Sequence, residues 1–215
     1  MIVFDFFSGT GSSTKAFEDA GHTVYKFELD DSFEATEHAD IMKLTAPYLL
    51  EKYGQPDFIW ASPPCTAFSV ASMGYHWTGG KQAYIPKTEF ATYSQKLVAH
   101  TVQLIKDLNP TKGWVMENPR GVLRKLPVVE NLPRRTVTYC QYGDTRMKPT
   151  DLWGVVPGWT PKPMCKNGAP CHIAAPRGAR TGTQGLKGAR ERSMIPYSLG
   201  KEILDCLLDN ADLSL

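Results

Sequence analysis

A cysteine stands where a strand breaks. Residues 57–61 form a short run of aromatic and β-branched type, the composition of a buried strand. Pro63 and Pro64 follow it. Proline fixes φ and carries no amide proton, so the pair ends the strand, turns the chain outward and delivers Cys65. A thiol in that position can act as a nucleophile; a buried structural cysteine, the commoner fate of the residue, is the other reading. Glu117 ends a second apolar run, Trp114-Val115-Met116. Such an approach buries an acid in part and raises its pKa, whereas a solvated strand end would leave it ordinary. Asp5 to Gly11 offers a third chemistry: Asp5, Phe7, Ser8, Gly9, Thr10 and Gly11 make a glycine turn between a strand and a helix, where a ligand can approach the backbone beside a helix N-terminus. The turn is no dinucleotide fingerprint, because Thr14 stands where the third glycine belongs, and no Gly-Lys-Ser/Thr phosphate loop follows. Glu28, closing the next strand, can receive both hydroxyls of a ribose. Together these point to an adenosine-bearing cofactor without a phosphate.

The elements that must position these residues alternate. Strand-like runs at residues 1–6, 22–28, 39–41, 57–61 and 113–117 are interleaved with helical stretches at 15–20, 31–37, 46–53 and 89–108. That order predicts a doubly wound, parallel α/β sheet. In such a sheet the first and fourth strands meet at the switch point with the fifth beside the fourth, so the turn at 5–11, Cys65 and Glu117 share one crevice. Residues 66–88 read as a long loop, residues 136–141 as a strand, and residues 191–208 as a helix with Pro196 near its start. This divides the chain into a catalytic domain over residues 1–153, a short recognition segment over 154–190 and a returning C-terminal helix over 191–215.

At 215 residues and 42% hydrophobic content the chain can bury a core. No run reaches bilayer length and no signal peptide is read, so a cytoplasmic monomer with no membrane partner is expected. Five cysteines at irregular spacing suggest no disulfide framework. Charge is lopsided: residues 1–109 sum to −5 and residues 110–215 to +7, with all nine arginines at or after Arg120. Arginine forks suit phosphates and guanine edges, so this half reads as a nucleic-acid face, a merely solvated basic surface being the alternative. Ser69, Arg120, Arg177, Arg180, Gln184 and Arg190 are the candidate DNA contacts, and so small a recognition segment suits a target of about two to four bases. Cys140, Cys165, Cys171 and His172 could ligate zinc. The Cys-x5-Cys-His spacing is not that of a standard finger, and adjacent ligands strain a tetrahedral site. Unpaired thiols and a DNA-facing histidine are the competing reading, and no metal is expected elsewhere.

Taken in order, the motifs resemble the DNA (cytosine-5)-methyltransferase family, compact phage-type members in particular. Asp5-x-Phe7-Ser8-Gly9-x-Gly11 is similar to that family's cofactor loop, Glu28-Leu29-Asp30 to its ribose-binding segment and Asp40-Ile41 to its adenine-contacting pair. Pro64-Cys65-x-x-Phe68-Ser69 is similar to its nucleophile motif and Glu117-Asn118 to its Glu-Asn pair. Arg146 and Lys148 stand near the place of its base-contacting arginines, with a looser pattern, and Ser193-Met-Ile-Pro196 resembles its terminal segment with Ser for Asn. The resemblance implies a Rossmann-like class I methyltransferase sheet, S-adenosylmethionine as cofactor and double-stranded DNA as partner, in a prokaryotic or phage-infected cell. It also implies catalysis by Cys65 and Glu117 with Asn118, Arg146 and Lys148, and cofactor contacts from Leu29, Asp40, Ile41, Pro64 and Ser193 besides the turn. An RNA or amino-group methyltransferase, suggested by Ser62-Pro-Pro-Cys65, and a non-catalytic DNA-binding protein on the same fold remain as rivals.

Overall fold

Ile2–Phe6 (β1) sends Val3 and Asp5 to one face and Phe4 and Phe6 to the other, all of them buried, so this strand must be covered on both sides. The computed structural model describes residues 1–80, 83–174 and 188–209. After β1 come α1 (Lys15–Asp19), β2 (Thr23–Glu28), β3 (Glu37–His38), α2 (Ala46–Tyr53) and β4 (Phe58–Ala61). Then follow α3 (Met73–His76), the small strands β5 (Trp77–Thr78) and β6 (Ile85–Pro86), and the long helix α4 (Glu89–Leu108). The chain continues through β7 (Gly113–Pro119), β8 (Arg134–Thr138) and β9 (Pro149–Val155) to α5 (Ala189–Ser193) and α6 (Tyr197–Asp209).

The main sheet runs β3-β2-β1-β4-β7-β9-β8. Its strands are parallel as far as β7, with β9 and β8 antiparallel. This is the doubly wound α/β architecture expected. Phe4, Phe6, Ile59 and Met116 pack on one face with α2 and α4, whereas Val3, Phe58, Trp60 and Val115 pack on the other with α1 and α6. On α4, Leu97, Thr101, Leu104, Ile105 and Leu108 are buried along the expected stripe. Thr88 caps that helix by accepting from the Ala91 amide at 3.1 Å, and Asn109 ends it in the left-handed region. Helices α1 and α6 touch closely enough that a Cβ on Gly200 would meet Ser13 O at 2.8 Å.

Five local expectations are corrected. Residues 31–37 are turns and extended chain, held by the Asp30 carboxylate on the Ser32 amide, and give a short strand only at Glu37–His38. Residues 39–41 lead instead into a 3-10 turn, because Asp40 accepts from the Met42 amide and caps it. The stretch 66–88 is not structureless: it holds α3 and the β5–β6 hairpin, with the Phe68 and Trp77 rings stacked beneath. Residues 136–141 contribute β8 only to Thr138, and β9 was unforeseen. A fork onto a buried carboxylate stabilises β9: the half-buried Arg124 donates from Nε and Nη2 to the two oxygens of Asp151 at 2.9 and 2.6 Å, and Thr136 Oγ1 donates to the same carboxylate at 2.7 Å. Residues 191–208 divide into α5 and α6 around Pro196. Among the described residues no helix is long and apolar enough to cross a membrane.

Candidate active site

The carboxyl ends of β1, β4 and β7 lie side by side, with Phe6 opposite Ala61 and Ala61 opposite Met116. Beyond β4 the ladder is continued by the Ser62 amide, which donates to Phe6 O at 3.0 Å. The prolines then lift the chain, and its carbonyls are caught from several sides. Asn118 Nδ2 donates to Pro63 O at 2.8 Å, the Phe68 amide to Cys65 O at 2.9 Å, Trp77 Nε1 to Ala67 O at 2.6 Å and the Val122 amide to Phe68 O at 2.8 Å. The loop carrying Cys65 is therefore fixed, with its thiol half-buried. Burial raises the thiol's pKa, the Glu117 carboxylate adds to that, and Lys148 and Arg192 oppose it.

Glu117 is 6% exposed. Desolvation raises its pKa, against the opposing charge of Lys148 and the Tyr139 hydroxyl, which donates to Oε1 at 2.9 Å. Tyr139 is itself fully buried, and Lys148 Nζ lies 4.8 Å from the centre of its ring. Burial lowers the Lys148 pKa. Its backbone has φ 27°, a left-handed conformation that strains a side-chain-bearing residue and is tolerated where the surroundings fix it. Cys65, Glu117 and Lys148 thus form one electrostatic cluster.

Arg146 occupies a different place from the one its motif suggested. Its guanidinium pairs with Asp144 and donates to the carbonyls of Glu191, Arg192 and Met194 at 3.0, 3.1 and 3.0 Å. Lys148 Nζ donates to Arg192 O at 2.8 Å. With all three nitrogens on protein acceptors, Arg146 straps residues 191–194 across the site and presents no donor to a base. The strap goes on to the glycine turn, where the Ile195 amide donates to Ser12 Oγ at 3.0 Å. Ser193 itself is exposed, its hydroxyl donating to Arg190 O at 2.7 Å, and the Arg190 guanidinium lies 5.2 Å from the centre of the Phe33 ring.

At the turn, Glu28 gathers backbone. Oε2 accepts from the Gly9 amide at 2.8 Å, and Oε1 accepts from Leu29 and Asp30 at 2.8 and 3.1 Å. Phe7 holds φ 59°, where a bulky residue is strained, and Gly9 and Gly11 are also left-handed. Asp5 is wholly buried and accepts from Ser13 and Thr14 hydroxyls at 2.8 and 2.7 Å. Desolvation, set against those two hydrogen bonds, raises its pKa to about 6. A nucleoside cofactor fits these residues: among the described residues the buried Ser8 hydroxyl has no partner and nothing fills the space over Gly9, and the Glu28 oxygens retain acceptor capacity. Leu29, largely exposed, stands beside the acid, and Ile41 is buried behind Asp40.

Of the expected DNA contacts, Arg120 is exposed and Ser69 half-buried beside the Cys65 loop. Arg177, Arg180 and Gln184 lie outside the described residues. The four residues that offered zinc as an alternative, Cys140, Cys165, Cys171 and His172, converge, their donor atoms all within 4.8 Å of one another. Sequence reading missed Tyr139 and Asp144. Tyr139 follows directly on the strand β8, and its proximity to Glu117 depends on β9 inserting between β8 and β7.

Residues 1–128 match the model of the C-5 cytosine-specific DNA methylase family. A Frog virus 3 (isolate Goorha) protein named "Probable DNA (cytosine-5)-methyltransferase" is 30% identical over 218 residues, covering 95% of this chain and 99% of that protein. Among solved structures, a protein described as a DNA modification methyltransferase encoded within an E. coli prophage superposes with TM-score 0.54 at 20% identity. That match covers 81% of this chain, which spans 57% of the other's length. The Entamoeba histolytica methyltransferase EhMeth superposes with TM-score 0.54 at 14% identity, over 75% of this chain and 55% of that one. Both structural likenesses concern the fold.

Proposed function

This chain belongs to the C-5 cytosine-specific DNA methylase family, and from that premise we propose that Cys65 and Glu117 activate a cytosine of double-stranded DNA for methylation at C5. One observation carries the reading: Asn118, next to Glu117, bonds the carbonyl of Pro63, so acid and nucleophile loop are fixed to each other. C5 of cytosine is a poor nucleophile. Addition of the Cys65 thiolate to C6 breaks the C5–C6 double bond and leaves its electron pair on C5 as an enamine. Glu117, whose pKa burial raises, donates in its acid form to N3 and offsets the charge that builds there. When bound, S-adenosylmethionine supplies an electrophilic methyl group. Loss of the C5 proton to a base then expels the Cys65 thiolate and restores the aromatic ring.

The cofactor would be held by the ribose hydroxyls on Glu28, by the turn of Phe7, Ser8, Gly9, Thr10 and Gly11, and by Leu29, Asp40, Ile41, Pro64 and Ser193 around its remaining parts. A stacked base cannot reach a half-buried thiol, so the target nucleotide is flipped out of the duplex. Lys148 offsets the thiolate charge. Arg146 acts as a positioning residue through the strap. Arg120 and Ser69 face the DNA, and the arginines 177, 180 and 190 contribute phosphate or base contacts to a short site.

Cys65→Ser tests the reading. Methyl transfer to DNA should fall by at least ~10³-fold, while the rise in melting temperature on adding S-adenosylhomocysteine stays near that of the wild type. Near-normal 5-methylcytosine in the digested product would overturn it. N4-methylcytosine in the wild-type product would favour the amino-group alternative, and labelling of RNA but not DNA would favour the RNA one.

A further inference from the structure

After β9 the chain runs from residue 156 to 174 without a helix or strand. Little apolar material secures it: Trp159 is the one large side chain of the stretch to be fully buried in a core cluster. Yet the segment holds a defined position against the 3-10 turn Tyr139–Tyr142. The Cys165 amide donates to Thr138 Oγ1 at 2.9 Å, the Lys162 amide to Tyr142 Oη at 3.0 Å and the Ile173 amide to Thr145 O at 2.9 Å. At the centre of these contacts lie three sulfurs and one imidazole. Among the described residues this is the one group of three or more His, Cys, Asp or Glu side chains placed to hold a metal ion.

We propose that Cys140, Cys165, Cys171 and His172 bind one structural zinc ion that clasps the recognition segment to the turn after β8. Tetrahedral zinc with bonds of ~2.3 Å to sulfur and ~2.0 Å to nitrogen requires S···S edges of ~3.8 Å and S···N edges of ~3.5 Å. The S···N separations from His172 Nδ1 to Cys165 and Cys171 are 3.5 and 3.7 Å. The Cys165–Cys171 pair stands at 3.1 Å, and a metal would move these sulfurs apart slightly. Thiolate with imidazole in a closed set of four is the donor chemistry of structural zinc.

The adjacency of Cys171 and His172 is accommodated because the histidine presents Nδ1, the ring nitrogen nearer the backbone. Metal on Nδ1 moves the ring proton to Nε2, so the 3.3 Å approach of the Gly168 amide to that nitrogen gives way to solvent. One long hydrogen bond is exchanged for a metal bond. Gln141 Nε2, 3.6 Å from Cys171 Sγ, supplies a donor to the thiolate from outside the ligand set. The fifth cysteine, Cys206, belongs to α6 and contacts Pro157 O, apart from the cluster.

The test is metal analysis of the full chain, purified without a metal-binding tag from medium containing zinc. Elemental analysis should give about one zinc per chain, falling at least tenfold in Cys171→Ser and in His172→Ala and remaining near one in Cys206→Ser. Replacement with Co²⁺ should give the intense ligand-field absorption of a tetrahedral thiolate site together with a thiolate-to-metal charge-transfer band. These readouts are independent of methyl transfer, so they stand whether or not the proposed reaction is right. Variants that fail to fold leave the wild-type zinc content and the cobalt spectrum to decide. Wild-type chain that carries no zinc and takes up no Co²⁺ would overturn the proposal. So would a mass lower by two hydrogens with Cys165 linked to Cys171.

Discussion

Around the glycine turn, the contacts made by the two carboxylates join residues close in sequence: Ser13 and Thr14 reach Asp5 across eight and nine positions, and Gly9 reaches Glu28 across nineteen. On the opposite wall of the crevice the contacts span far more chain. Arg146 and Lys148 bind carbonyls 44 to 48 positions away. The first wall is built of amides and hydroxyls converging on carboxylates, and the second of cations converging on carbonyls above the Tyr139 ring. A wall made from neighbours forms with its strand–turn–helix unit and loses little chain entropy. A wall made from distant partners depends on the sheet being complete, because each contact closes a long loop first. The difference assigns them different tasks. The turn suits a cofactor that binds alike in every cycle, and the strap suits the side where a large substrate must enter and leave.

Glu117 stands between the two walls, so its replacement tests the chemistry apart from either. Glu117→Gln keeps the shape and can still donate, but it cannot accept from Tyr139 as a carboxylate does or titrate with the substrate. Turnover should fall by ~10²–10⁴-fold, with S-adenosylhomocysteine binding unchanged. Undiminished turnover would remove Glu117 from the mechanism.

The turn is tested by pH. Asp5 has its folded pKa raised to about 6 from an ordinary value of 3.8. The folded protein therefore holds that proton more tightly than the unfolded chain, and stability falls as pH rises from about 4 to about 6. Below that window the contribution is full, and above it about 3 kcal/mol has been lost. Asp5→Asn lacks this titration. The stability of the variant relative to wild type, from urea midpoints at pH 4 and pH 7, should shift in its favour by about that amount. A difference that is flat across the window would mean that Asp5 is ionised throughout.

The strap gives the smallest effect. Arg146→Lys keeps the charge but not the planar fork, and should lower stability by about 2 kcal/mol. Amide exchange should accelerate over residues 189–195, while β1 and β2 exchange as before. Uniform acceleration across both would abolish the distinction between the walls.

Much of the first wall was legible because its signals are local. An apolar run followed by glycines, an acid ending the next strand and prolines ending another each report on their own neighbourhood, and the parallel order of the strands gathers them. The long stripe on α4 was readable for the same reason, with period and caps in one stretch. β9 escaped because Pro149, Asp151 and Gly154 are poor strand formers taken singly. Each is accounted for only by its partners. Asp151 is neutralised by Arg124, and a Cβ on Gly154 would lie 2.2 Å from Trp114 O on the neighbouring strand. Missing β9 hid the route by which Tyr139 reaches Glu117, whereas Arg146 read as a base contact from its motif alone, its carbonyl partners lying 45 to 48 positions further on. The helix expected at 31–37 is absent because Asp30 turns the chain by accepting from the Ser32 amide and Thr36 pairs with Lys26 of β2 instead. The boundary expected after residue 153 would cut β9 two residues before its end.

The bond from the Ile195 amide to Ser12 Oγ joins residues 183 positions apart. It sets a timetable for the growing polypeptide. At synthesis rates of about 5–20 residues per second, the glycine turn leaves the ribosome on the order of ten seconds or more before the segment that covers it. Through that interval Phe17 and its neighbours on α1 lack Leu199 and Ile203, beside which they are buried in the finished protein. The nascent chain thus carries an uncovered apolar face until residues 199–203 have been made. Ligand arriving early would meet the glycine turn before the Ile195 segment has closed over it.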